Sequence, residues 1–427
     1  MAVGVNIPNV GLMFTRYLDR VDDTMNHASR SRQLVNKEDK WTGSHNEWRV
    51  HTRRGGAFNW SEDGGSFPAA KKQGYKPAKS YRKFLHAKIQ LTNGVMAACQ
   101  KSKSVAKDVI TSEVEGIMRD ILKGENGMFF RDGTGAVCQI EGAAGTQGGD
   151  PSSTTTIDVD DARMLWEDQE YDVYDNSTFS AFTATKHGTV TVSTVTEAPR
   201  ANGTFQVTFT GNTPAGLVAS AATDDVGDYL VWKDSYGRVP TGLDLLVDDA
   251  ATTFQNIDVS ANPRYASLVL GNSGTKRALT PGLFRKMLAG LSQKTGQDNP
   301  SGGLTVLCDS WQAINVEELY EGELRLTPET KKAGIAVASF QSSLGKIDIL
   351  TDTDALHNKM FFVDFSKIYR RVQKKLGWIK QGGEIFMRSD DAAFHTAVAE
   401  EICEYDIAER HTSGKIEDLE MDPSTAY

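Results

Sequence analysis

The chain has 427 residues, of which 39% are hydrophobic and 24% charged. That length exceeds one core and fits two to four structural units at ~100–200 residues per domain. The formal net charge of −9 excludes a protein that coats nucleic acid stoichiometrically, because phosphate binding needs an excess of Lys and Arg to release counterions. No run approaches the ~18–20 apolar residues that span a bilayer, and Met1 to Lys40 lacks the basic start and apolar centre of a secretory signal, so a soluble chain made in the cytoplasm is expected.

The first 44 residues read as an arm with one short amphipathic helix, Val10 to Val21, carrying Leu12, Met13, Tyr17 and Val21. Residues 45 to 90 hold ten Lys/Arg against three Asp/Glu. Two strand-like runs, Glu47 to Thr52 and Ser80 to Gln90, flank a centre rich in Gly, Ala, Ser and Pro, which predicts a two-stranded ribbon with a loose tip over 45–91. An isolated hairpin is marginal in water, so the ribbon needs another surface to lie on. Its aromatics, Trp48, Phe58, Trp60, Phe67, Tyr75, Tyr81 and Phe84, are of the type that anchors protein interfaces. Its cations, Arg49, Arg53, Arg54, Lys71, Lys72, Lys76, Lys79 and Arg82, would set register by charge. A single-stranded nucleic-acid groove uses similar residues. A protein partner is favoured because residues 150 to 260 hold eighteen Asp/Glu against five Lys/Arg, an acidic body for a basic ribbon.

A short helix is expected near Asn93 to Lys101, then a long one over 104–123. Ser104 can cap it, Ala106, Ile110, Val114, Ile117, Met118, Ile121 and Leu122 make one apolar face, and Gly124 can end it. Residues 92–150 would form one domain around this helix. A Gly-rich stretch then leads into a Thr-rich, acidic section at 151–236. Alternation over Gly188 to Val195 and Gly203 to Thr210, with turn signals Asn202-Gly203 and Gly211-Asn212, makes it an all-β insertion.

From 237 to 360 the class changes to mixed α/β. Leu243 to Val247 is strand-like, Thr280 and Pro281 open a helix, Leu304 to Cys308 is a short buried strand, and Ser310 opens a helix to Tyr320. Lys346 to Leu350 and Met360 to Val363 are further strands. Within 361–427, Phe394, Val398, Ile402 and Tyr405 have helical spacing in a stretch of strand-favouring residues.

The run ITSEVEGIMRDIL followed by RDGTGAV resembles the spine helix and following turn of tailed-bacteriophage major capsid proteins. GLDLLVDDAATTFQNIDVSANPRYASLVL, GGLTVLCDSWQAI, GKIDIL and MFFVDFSKIYRR resemble, in order, the axial domain of the same family. The resemblance covers about residues 45 to 427 and implies an α+β Hong Kong 97-like fold: N-terminal arm, extended loop, spine helix, peripheral and axial domains, here with an all-β insertion. It implies a long strand near Phe394, against the helical spacing, and a non-enzymatic subunit that self-assembles as hexamers and pentamers into an icosahedral virion shell around double-stranded DNA. Portal protein, a separate scaffolding protein and decoration proteins are the implied partners, with weak non-specific contact to packaged DNA and none to membrane. No Asn and Glu matching a Lys crosslink are recognisable, so covalent welding is not expected. An encapsulin-type compartment shell and a β-rich decoration or adhesin protein are the alternatives.

Catalytic patterns are not signalled. The eight histidines show no HxH, HxxxH or HExxH spacing, GNSGTK at Gly271 to Lys276 falls short of a phosphate loop, and there is no GxSxG elbow. Cys99, Cys138, Cys308 and Cys403 lack CxxC spacing and read as reduced packing residues. The carboxylates Asp158/Asp160/Asp161, Asp224/Asp225/Asp228 and Asp248/Asp249 read as a solvated acidic face.

Overall fold

The structure is a computed structural model that describes residues 30–39, 41–92, 103–177, 179–196, 204–219, 227–296, 303–320, 330–332, 335–342, 345–380, 385, 387–388 and 394–421. The expected helices at Val10 to Val21 and Asn93 to Lys101, Cys99 and the Asn202-Gly203 turn lie outside them.

The ribbon pairs His45–Arg53 with Gly74–Tyr81, and its root residues Val50 and Ala78 are buried in the core. The single strand expected over Ser80 to Gln90 is broken at Arg82, so the ribbon ends at Tyr81 rather than at 91. Lys83–Thr92 instead joins another sheet, against Phe394–Ile407. Its alternation explains this: Ile89 and Leu91, with Leu85 and Ala87, pack under the long helix, while Phe84, His86, Lys88 and Gln90 face out.

Helix α1 spans Lys103–Phe129, longer than the expected 104–123. Gly124 does not end it. A Cβ at Gly124 would lie 2.5 Å from the Trp232 ring, and one at Gly127 would strike the Met164 thioether, so both glycines serve close approach to a neighbouring element. Val114, Met118 and Ile121 of α1 pack on Ile89, Leu91, Trp378, Ala397 and Ala399. The last helical turns then bury Phe129 beside Phe130.

The closing stretch is one strand, Phe394–Ile407, as the resemblance implies and against its helical spacing. It is paired by Lys83–Thr92 on one side and Ile368–Trp378 on the other, and every second residue from Ala397 through Ala399, Glu401, Cys403 and Tyr405 to Ile407 is buried; the polar Glu401 on that face, with Val398 and Ile402 on the other, hides the period of two. Asn36–Glu38 adds a parallel strand on Ile368–Trp378, and Met387–Arg388 a short one on the central strand.

The all-β section is a closed six-stranded antiparallel barrel. Around it run Ala136–Ala143, Thr156–Val159, Phe205–Phe209, Lys186–Val195, Glu170–Tyr174 and Tyr229–Trp232, the last pairing back to the first. The unit therefore begins at Ala136, ahead of the expected start at 151, because closure needs that strand. Closure removes the sheet edges, and Ile140, Ile157, Val159, Tyr171, Val173, Val190, Val192, Phe205, Val207 and Leu230 form its core.

The third unit is a mixed seven-stranded sheet in the order Leu268–Leu270, Gly414–Ile416, Met360–Asp364, Leu304–Cys308, Gly345–Thr351, Ile335–Ser342, Thr330–Lys332. The expected boundary after 360 falls inside one of its strands. Helices α2, Pro281–Thr295, and α3, Ser310–Tyr320, pack on it through Phe284, Met287, Leu288, Leu291 and Val316. The Thr280 side chain accepts from the Leu283 N–H and Gly296, at φ +70, closes α2. Leu243 to Val247 is not a strand but a helical turn, Leu243–Leu246, whose Leu245 and Leu246 carbonyls accept from Arg410 at 2.7 and 3.0 Å.

Candidate assembly interface

The ribbon is held at its root. Trp48 packs against the core with the Arg371 guanidinium 5.5 Å from its ring centroid. Arg371 also pairs with Glu38 and Asp406, and Asn46 donates to Asp406. On the other strand, the Lys79 N–H donates to the Gln255 carbonyl at 2.9 Å and Asn256 donates to that of Pro77 at 3.3 Å. Gln255 and Asn256 turn a small hairpin, Thr253–Phe254 with Ile257–Asp258, both at positive φ.

Beyond the root the ribbon is left open among the described residues. Residues 54 to 73 form no strand or helix, and Phe58, Trp60 and Phe67 are 79%, 98% and 96% exposed. Tyr75, Tyr81 and Phe84 are also exposed, as are Arg49, Arg53, Arg54, Lys71, Lys72 and Lys76. Lys79 is half-buried and pairs with Glu47 at 3.5 Å; Arg82 is half-buried, 5.3 Å over the Phe84 ring. Trp48 differs from the rest, since it anchors the ribbon to its own subunit.

The expected acidic face is corrected by burial. Asp158, Asp161 and Asp228 lie inside, where Asp158 accepts from the Gly145 N–H, Asp161 from Arg131 and Arg163, and Asp228 from the Asn176 and Val218 N–H groups. Burial, with Asp161 and Glu141 beside it, pushes Asp160 up to about 7. These carboxylates fasten the barrel: Arg163 bridges Asp161 to Asp309 at 3.5 Å and donates to the Ala355 carbonyl.

A second buried network ties the N-terminal segment to the long strand. Arg32 Nη2 lies 2.6 Å from Glu125 Oε2 of α1, Arg32 Nε donates to the Tyr405 hydroxyl, and Arg370 pairs with Glu401. Burial opposes the charge on Glu125, but Arg32, with Glu401 and Arg370, outweighs it and holds the group down at about 2. Burial and then the Glu125 charge push Glu401 up to about 9. Glu125, Glu401 and Cys403 approach one another closely enough to hold a cation, but the two guanidinium groups already supply that charge. Cys138, Cys308 and Cys403 are free and buried, and burial raises each thiol. Among the described residues no helix is long and apolar enough to cross a membrane.

One aromatic surface was not legible in the sequence because its rings come from separate strands and turns of the barrel. Tyr174 stacks on Tyr236 at 4.4 Å and Phe179 on Tyr229 at 4.2 Å, and Phe182, 46% exposed, lies 6.2 Å from Tyr236.

A sequence model of the SU10 major capsid protein family matches residues 178–382, which include barrel strands, α2, α3 and much of the mixed sheet. The capsid asymmetric unit of cyanophage A-1(L) superposes with a TM-score of 0.51 over 90% of this chain and 91% of that one, at 13% identity. Over residues 178–382 the chain is similar to the major capsid proteins of tailed phages. Its fold is the α+β Hong Kong 97-like one. Mycobacterium phage Patience matches with a TM-score of 0.44 at 7% identity, over 98% of this chain and 90% of that one. The SrpI encapsulin complex of Synechococcus elongatus PCC 7942 does so with 0.44 at 8%, over 92% and 88%. No curated protein sequence matches the chain.

Proposed function

We propose that this chain is a tailed-bacteriophage major capsid protein that tiles an icosahedral shell as hexamers and pentamers around double-stranded DNA, with each ribbon lying on a neighbouring copy. The observation that carries this reading is a ribbon rooted in its own core whose Phe58, Trp60 and Phe67 are almost wholly exposed at the far end. Residues 1–44 then serve as arm, the ribbon from His45 to Tyr81 as extended loop, the long helix with the sheet around Phe394–Ile407 as peripheral domain, the barrel from Ala136 to Trp232 as insertion, and the mixed seven-stranded sheet with its two helices as axial domain. Assembly takes place in the host cytoplasm with a portal protein, a separate scaffolding protein and decoration proteins, and the subunit performs no catalysis. Contact with packaged DNA is weak and non-specific, consistent with the net charge of −9.

Replacing Arg53 and Arg54 together with Glu tests the docking by light scattering and negative-stain microscopy at low salt. The expected result is loss of particles; normal shells from that variant would sink the idea. Particles that contain protein cargo instead of nucleic acid would replace the phage reading with the encapsulin one.

A further inference from the structure

We propose that on a free subunit the outward face of the ribbon binds single-stranded nucleic acid, its rings stacking on unpaired bases and its cations meeting the phosphates. This ligand is additional to the neighbouring copy of the assembly reading and does not depend on it.

Strand register divides the ribbon into two faces. Trp48, Val50, Ala78 and Ser80 turn towards the body of the subunit, whereas His45, Arg49 and His51 turn away with their cross-strand partners Tyr81, Pro77 and Tyr75. On that outward face the rings come in pairs. His51 lies beside Tyr75 with centroids 5.0 Å apart, and His45 beside Tyr81 at 6.1 Å. Gln73 Oε1, 2.8 Å from His51 Nε2, fixes the imidazole in place. Tyr75 and Tyr81 are 60% and 61% exposed. The two pairs stand six residues apart on each strand, about 20 Å at ~3.3 Å per residue. That is the length of about six nucleotides of a stacked strand at ~3.4 Å each.

Cations are interleaved with these rings. Arg49 stands between the two pairs, and Arg53, Arg54, Lys71 and Lys72 follow at the neck of the tip, all exposed. Glu47, the carboxylate of the outward face, is already paired with Lys79 at 3.5 Å, so Glu62 and Asp63 at the tip are the acids left to oppose them. A surface of this sign calls for an anion. The carboxylates expected from the sequence as its acidic complement do not supply one: Asp158, Asp161 and Asp228 lie inside the barrel, held by arginines and backbone N–H groups. The argument from charge for an acidic protein partner over nucleic acid is lost with them.

Rings alternating with cations are the two parts of a single-strand site, in which the cations track the backbone and every base offers a π-face to stack on. An acidic peptide would meet the charge and leave Tyr75 and Tyr81 in water. A duplex would meet the charge too, but its bases are stacked inside and give the rings no partner. Only an unpaired strand uses both. The ribbon then continues the platform towards Phe58, Trp60 and Phe67, which are as open as the face itself.

The test is fluorescence anisotropy with the full chain, below the concentration at which particles form. The probes are labelled oligothymidylate, the same strand paired with oligoadenylate, and labelled polyglutamate. The single strand should bind at least about tenfold tighter than either of the others. Its affinity should fall with salt, and Arg49→Gln and Arg53→Gln should each flatten the log–log slope by about 0.7, the share of one phosphate contact on a single strand. Tyr75→Thr keeps a strand-favouring residue and should weaken binding about tenfold, the loss expected of one stacked base. Tyr75→Phe keeps the ring and should bind as wild type. Equal affinity for strand and duplex, or tighter binding of polyglutamate, would overturn the proposal. So would a Tyr75→Thr subunit that binds as well as wild type, since charge alone would then account for the affinity, and so would a wild-type subunit that leaves the strand unbound at low salt. Particle formation is not part of the readout, so none of these results bears on the assembly reading.

Discussion

Arg32→Ala should unfasten the N-terminal segment from the body of the subunit. Arg32 Nη2 lies 2.6 Å from Glu125, with side chains only 8% and 13% exposed, and its Nε serves the Tyr405 hydroxyl. Removing one partner of such a pair strands a buried charge and costs about 3–5 kcal/mol. Glu125 sits in the folded chain at about 2, below its ordinary 4.5. A depressed carboxylate contributes stability above its unfolded value and loses it as the pH falls through the folded one. The deficit of Arg32→Ala should thus be full at pH 7 and shrink towards pH 3, to about the 1 kcal/mol of a neutral hydrogen bond. Urea unfolding of unassembled subunits measures it, with Glu125→Gln and the double variant completing a cycle. The double variant should recover most of the loss. An equal deficit at pH 3 and pH 7, or a double variant as unstable as Arg32→Ala, would refute the pairing.

Glu401 is raised in the folded chain to about 9 from an ordinary 4.5, so its contribution is full below 4.5 and lost as the pH rises through 9. Glu401→Gln, a neutral mimic, should match wild type near pH 4.5 and gain on it up to pH 9 in thermal melts; parallel curves would contradict this. Trypsin should cut free subunits at Arg53, Arg54, Lys71 and Lys72, all exposed, and spare them in shells, as band patterns on a gel would show. Gly124→Ala should lower the melting midpoint: the ~1 kcal/mol of helix propensity it gains is outweighed by the ~1–3 kcal/mol of overpacking on Trp232.

What the sequence made legible was local. Helix α2 carries its own start in Thr280 and Pro281 and its own stop in Gly296. The ribbon's exposed rings and cations could be picked out because nothing nearby could cover them. Tertiary contacts overrode local signals elsewhere. Gly124 reads as a helix stop until Trp232 is seen against it. Leu243 to Leu246 reads as a strand until Arg410 satisfies its carbonyls. Asp158, Asp161 and Asp228 read as a wet surface, yet arginines and backbone N–H groups draw them inside. The barrel's opening strand and its aromatic surface depend on closure, which joins residues far apart in sequence.

With each ribbon lying on a neighbouring copy as proposed, Phe58, Trp60 and Phe67 at its end would give an unfinished shell a rim energy. Apolar surface left in water costs free energy in proportion to its area. Every tip along the perimeter of a growing sheet adds to that cost, and every tip in the interior is relieved of it. The cost follows the length of the open edge and falls to zero only when the last gap closes, so small patches dissolve, large ones curl shut, and completeness is favoured without any signal that the shell is finished.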